Sequence, residues 1–135
     1  MTESTANRDF GVVLLEAIDE ALLALGESVK TSIYFKLNNT FNIKKQEIPE
    51  KVDVLSDALE QVFGLGARHL EIMFMKCLYT KMGPVCELYV REWISLEMTF
   101  KEYVHLMRQI YEKTKNREIE IFTNQQEIQA RYDSR

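Results

Sequence analysis

The sequence predicts an all-α or mainly α fold, a compact bundle of about four short helices plus a C-terminal helix, with two short extended segments as an option beyond the fourth. Three observations carry this expectation. Apolar residues recur at helical spacing in successive windows, from Phe10, Leu14, Leu15, Ile18, Leu22 and Leu25 to Phe100, Tyr103, Val104, Met107, Ile110 and Tyr111. Turn formers fall between those windows, at Gly26, Ile48-Pro49, Gly64-Leu65-Gly66 and Gly83-Pro84. The composition, 46% apolar and 28% charged with 5 Gly and 2 Pro in 135 residues, can fill a hydrophobic core without disulfides or metals.

Met1 to Asp9 is polar and aperiodic, the pattern of a frayed tail, and Asp9 can cap the first helix. That helix runs to Gly26, with Glu16, Asp19 and Glu20 on its solvated side. Ser28 offers the next N-cap, and Val29, Ile33, Tyr34, Leu37 and Phe41 form a stripe that continues until Asn38, Asn39 and Asn42 weaken the helix. Lys44 to Glu47 is too polar for a core and reads as a connector anchored by Ile43 and Ile48, with Pro49 allowing a helix to start just beyond it.

Leu55, Ala58, Leu59, Val62 and Phe63 give the third helix its apolar face, and Gly64 ends it. Ala67, Leu70, Met73, Phe74, Cys77, Leu78 and Met82 mark the fourth, stopped by Gly83-Pro84. From Val85 to Met98 the side chains favour strand types while Pro84 can open a helix, so the segment reads as irregular or short strand with a helix left open. Thr99 and Glu102 have capping-box spacing ahead of a fifth helix over 100–115, and Ile119 and Ile121 alternate with Glu118 and Glu120 as in a short extended piece. The organisation read from these signals is a tail over 1–9, a helical domain over 10–83, an extension over 84–122 and a polar tail over 123–135.

Charge and residue chemistry narrow the function classes. A net charge of -4 gives no general pull toward phosphate backbones or anionic lipid. No apolar run approaches membrane-spanning length, and with 2 cysteines and no apolar leader the expectation is a reduced, cytoplasmic chain. The metal-ligand types Cys77, Cys86, His69 and His105 form no close pair, and His69 and Cys77 stand two turns apart on one helix, so no metal or other cofactor is expected. No spacing links Cys86 to His105 as nucleophile and base, and no Gly-Lys-Ser/Thr follows Gly64-Leu65-Gly66, whose glycines read as helix punctuation rather than a phosphate cradle. The reading is therefore not an enzyme.

Between Leu14 and Gly83 the chain carries Leu15-Glu16-Ala17-Ile18-Asp19-Glu20-Ala21-Leu22, Leu25-Gly26-Glu27-Ser28-Val29, Ile33-Tyr34, Ile48-Pro49-Glu50, Phe63-Gly64, Gly66-Ala67, Met75-Lys76 and Leu78-Tyr79. In this order the features resemble a small archaeal helical domain, the fifth-type Nitrosopumilus output domain, over about residues 10–83. The resemblance implies a signalling-output or adaptor-like module and brings no catalytic residues with it.

Two surfaces follow as candidates for binding. Met75, Tyr79, Tyr89 and Trp93 are apolar or aromatic positions beyond what one core-facing stripe requires, which points to a protein partner or to self-association. Lys101, Arg108, Lys113, Lys115 and Arg117 make the fifth helix and its end basic, the contact surface that a nucleic-acid-binding regulator would use, although Glu102, Glu112, Glu118 and Glu120 interrupt it. The leading expectation is a non-enzymatic interaction or signalling-output module, with the nucleic-acid regulator as its alternative.

Overall fold

Asp9 opens the first helix in extended conformation, and its carboxylate accepts a long 3.5 Å hydrogen bond from the Gly11 N–H, which meets one of the unpaired donors of the first turn. The chain, a computed structural model that describes residues 9–82 and 98–115, is helical in long runs with no strand among the described residues. Helix α1 (Phe10–Ala24) is followed by α2 (Glu27–Phe41), a 3-10 turn (Lys45–Glu50), α3 (Val52–Phe63), α4 (Gly66–Met82) and α5 over 100–115. Residues 85–97, nearly all of the segment read as irregular or short strand, and residues 119–122 lie outside the described residues, as does the polar tail.

The largest helix contact is between α1 and α4, and α1 also touches α2 and the 3-10 turn, so α1 is the central element. Its Leu14, Ala17, Ile18, Ala21 and Leu22 are buried, and each large aliphatic side chain placed this way is worth about 1.5–3 kcal/mol relative to exposure. Leu55 and Leu59 of α3, Phe74 and Leu78 of α4, and Ile43 and Ile48 beside α1 complete the same core. Ile43 and Ile48 thus anchor the connector as its sequence pattern predicts. The polar stretch between them winds into a 3-10 turn with Pro49 inside it, instead of staying irregular.

Helix α5 closes the core from the other side. Phe100, Tyr103, Val104, Met107 and Ile110 are buried in the cluster that α1, α3 and α4 share. Phe100 meets Phe74 with ring centroids 5.7 Å apart, and Tyr111 meets Phe10 at 5.8 Å, both tilted as aromatic quadrupoles prefer. The capping box is formed: the Glu102 N–H donates to Thr99 Oγ1 at 3.2 Å, and that hydroxyl donates to Glu102 Oε1 at 2.9 Å.

Two glycines set the chain reversals. Gly26 has φ 119° and ψ 150°, a region that is closed to side-chain-bearing residues in practice, and Gly64 has φ 58° and ψ -126°. The backbone turns so sharply at Gly26 that α2 starts at Glu27, with the Lys30 N–H donating to the Gly26 carbonyl at 3.1 Å. Ser28 consequently lies inside the first turn instead of capping it. Asn42, in left-handed conformation at φ 56°, ends α2.

One polar clasp holds α1, α2 and the connector together. Tyr34 Oη donates to Asp19 Oδ1 at 2.5 Å, Lys45 Nζ donates to Oδ2 at 2.8 Å, and Lys30 Nζ lies 3.9 Å from Oδ1. Lys45 also sits over the Tyr34 ring, 5.1 Å from its centroid. Burial works against the charge on Asp19, but the hydrogen bonds from Lys45 and Tyr34 and the two ammonium charges outweigh it and hold the carboxyl below its ordinary value. Burial first, then the Asp19 carboxylate, push the Tyr34 phenol well above its ordinary range.

A depressed carboxyl stabilises the fold above its unfolded pKa of about 3.9, and the contribution disappears as pH falls through the folded value. The stability advantage of the natural chain over Asp19→Asn should therefore be constant near neutral pH and shrink below about pH 4. Thermal melts of both chains across that range check this, and a difference that does not change with pH would exclude the clasp as a stabilising ion pair.

Candidate functional site

The second and third helices diverge. Among the described residues α2 buries only Ile33 and Leu37, and α2 and α3 meet over a much smaller area than α1 and α4. What remains between them is an open apolar groove of about 350 Å³. Val29, Ile33 and Leu37 form its wall on α2, and Leu59, Val62 and Phe63 its wall on α3. Along its outer edge run Ser28, Ser32 and Lys36, spaced four residues apart, so their side chains line up on one face of α2.

Several apolar side chains of the wall and of the helices around it are exposed. Val29 and Phe63 are partly solvent-accessible, Leu25 is exposed at the turn before α2, Phe35 is 68% exposed, and Leu65 is 95% exposed between α3 and α4. The sequence pattern assigns Val29 and Phe63 to the core stripe, and the structure corrects this for a plain reason. Helix α2 starts anew after Gly26, the polar clasp ties its Tyr34 side to α1 and Lys45, and among the described residues no element fills the space left toward α3.

The residues singled out from sequence distribute as follows. Met75 and Tyr79 of α4 are half-buried and packed against the core cluster, which leaves them little open area. Tyr89 and Trp93 lie outside the described residues. On α5, Lys101 Nζ pairs with Asp53 at 3.0 Å, and Arg108 donates to the Pro49 carbonyl at 2.7 Å while lying over the Phe10 ring at 5.3 Å. Lys113 is exposed and Lys115 half-buried, and Arg117 lies outside the described residues. Two of the four described cations are thus engaged within the chain.

A second, more polar hollow of about 270 Å³ lies where α5 crosses the start of α3, lined by Lys51, Asp53, Lys101, His105 and Arg108 among others. Its cations already have partners: beyond the contacts above, Lys51 Nζ pairs with Glu47 at 2.8 Å. His105 Nε2 lies 3.3 Å from the amide nitrogen of Gln109. His69 is exposed on α4, and among the described residues no three His, Cys, Asp or Glu side chains converge to hold a metal ion.

Cys77 is half-buried on α4. Burial and the neighbouring Glu20 carboxylate push its thiol upward despite the opposing Lys81 charge, the direction opposite to that of an activated thiolate. Lys81 bonds Glu20 at 2.7 Å and Glu16 at 3.5 Å, tying the end of α4 to α1. At the Gly64-Leu65-Gly66 turn the Gly64 N–H donates to Glu60 at 2.7 Å and the Ala67 N–H to Gly64 at 3.2 Å, so these amides serve the turn itself.

One polar core position escapes sequence reasoning. Glu71 is only 8% exposed and accepts a 2.9 Å hydrogen bond from the Ser56 hydroxyl, linking α3 to α4. Among the described residues no helix is long and apolar enough to cross a membrane. Comparison with protein families, with curated proteins and with solved structures finds no match to this chain.

Proposed function

We propose that the chain is a non-enzymatic protein-interaction module, acting in signalling or regulation inside the cell, and that the α2–α3 groove receives an apolar segment of a partner protein. The observation that carries this reading is the groove itself: six apolar residues from two helices line it, with Val29 and Phe63 exposed at its surface and Ile33, Leu37 and Leu59 forming its buried floor. An apolar hollow with a polar edge gives a partner's apolar side chain a place to leave water, and that transfer is the driving force docking would use. The resemblance to an archaeal output domain points toward the same class of role. Nucleic-acid binding through α5 has weaker support, since Lys101 and Arg108 are engaged within the chain.

The test places a charge in the groove. Val62→Asp, at a half-buried position, should reduce capture of the native partner from extract by about tenfold or more, because an unpaired carboxylate would have to be buried on docking. Circular dichroism establishes that the variant folds, and quantitative mass spectrometry compares the two captures. Equal capture by both chains would remove the groove from this role, and nucleic acid retained at low salt but lost at high salt would favour the α5 reading instead.

A further inference from the structure

The shape and charge of the groove define its occupant more narrowly, on the reading that a protein segment docks there. Its outer edge from Ser28 to Lys36 extends about 12 Å along α2 at 1.5 Å per residue. On a ligand helix the side chains at i and i+7 are separated by about 10 Å, so a two-turn apolar face at i, i+3, i+4 and i+7 matches the length of the trough. An extended strand would instead seek an unpaired sheet edge, and the described residues contain none.

The charge is equally specific. Among the described residues, Lys36 is the one charged residue lining the groove, and no acidic side chain lines it. Among the described residues its ammonium has no ion-pair partner, and the Ser28 and Ser32 hydroxyls on the same edge have no hydrogen-bond partner. The apolar walls therefore carry a one-sided rail of two hydroxyls and a cation. We infer that the groove takes a short amphipathic helix of a partner protein whose apolar stripe is bordered, on the side facing α2, by an Asp or Glu that pairs with Lys36.

A displayed library of helical peptides, with apolar residues fixed at i, i+3, i+4 and i+7 and all other positions varied, is selected against the full-length chain. Asp or Glu should be enriched at one flank of the stripe. Binding of the selected peptides should fall about tenfold on Lys36→Glu, and exchanging the peptide acid for Lys should restore binding to that variant. Lys36 sits at the exposed edge, so this substitution leaves the core intact even where Val62→Asp does not.

Selected peptides that respond to Val62→Asp but show no acid enrichment and ignore Lys36→Glu would overturn the charge assignment while leaving a protein-docking groove in place. Peptides indifferent to both substitutions would overturn the docking groove as well. Light scattering that finds a dimer dissolved by Val62→Asp would assign the groove to a second copy and overturn the proposal. Failure to select any peptide, together with Lys36-dependent binding of decanoate, would replace the helix with an aliphatic carboxylate.

Discussion

A chain ended after Met82 is expected to lose cooperative unfolding, although it retains the four helices α1 to α4. Helix α5 contributes Phe100, Tyr103, Val104, Met107 and Ile110 to the common core, and removing it exposes the faces of Phe10, Phe74 and their neighbours. Burial at about 1.5–3 kcal/mol for each large apolar side chain makes the loss of order 10 kcal/mol, comparable with the whole stability of a typical domain. The shortened chain should keep helical far-ultraviolet circular dichroism, bind a hydrophobic dye and melt without a sharp transition. A cooperative melt within a few degrees of the full chain would show that α5 packs on a core already complete without it.

The same comparison bears on function, because the groove lies between α2 and α3 and none of the residues lining it comes from α5. Loss of partner binding in the shortened chain would then report loss of the fold, whereas loss on Lys36→Glu reports the surface. Keeping those two effects apart is necessary in a bundle whose groove is walled in part by core residues. Ile33 and Leu37 belong to both, buried in the cluster and lining the groove.

How much of this was legible in the sequence differs between elements. Helix α5 and its capping box are legible in full, since Thr99 and Glu102 are local neighbours and local geometry decides the cap. The anchors Ile43 and Ile48 are legible because isolated apolar residues in a polar connector have little reason to be there except burial. The groove is not. A stripe such as Val29, Ile33 and Leu37 reports that one side of α2 avoids water, but whether α3 approaches closely enough to cover it depends on the exit angle at Gly26 and on a clasp formed by Asp19, Tyr34 and Lys45, which lie far apart in sequence. Glu71 is hidden for a similar reason, its partner Ser56 being 15 residues away on another helix.

Phe74→Ala is expected to cost about 3–5 kcal/mol, near the upper end for a single substitution, because a large aromatic ring is removed from a position that is 1% exposed. The ring joins α4 to α5 through Phe100, so its loss leaves a cavity bounded by two helices that are fixed independently. Arg68 donates to the Met98 carbonyl at 3.2 Å on one side, and Arg108 to the Pro49 carbonyl on the other, which limits how far α5 can collapse inward. Phe100→Ala should have a similar effect. The double variant should lose less than the sum of the two, by about 0.5–1.5 kcal/mol, since the second truncation removes a ring contact that the first has already broken. Urea unfolding of the four chains measures all three quantities. A loss below about 1 kcal/mol for Phe74→Ala would be incompatible with a packed interface between α4 and α5. Strict additivity would instead mean that each ring is held by its own surroundings, with nothing gained from their contact.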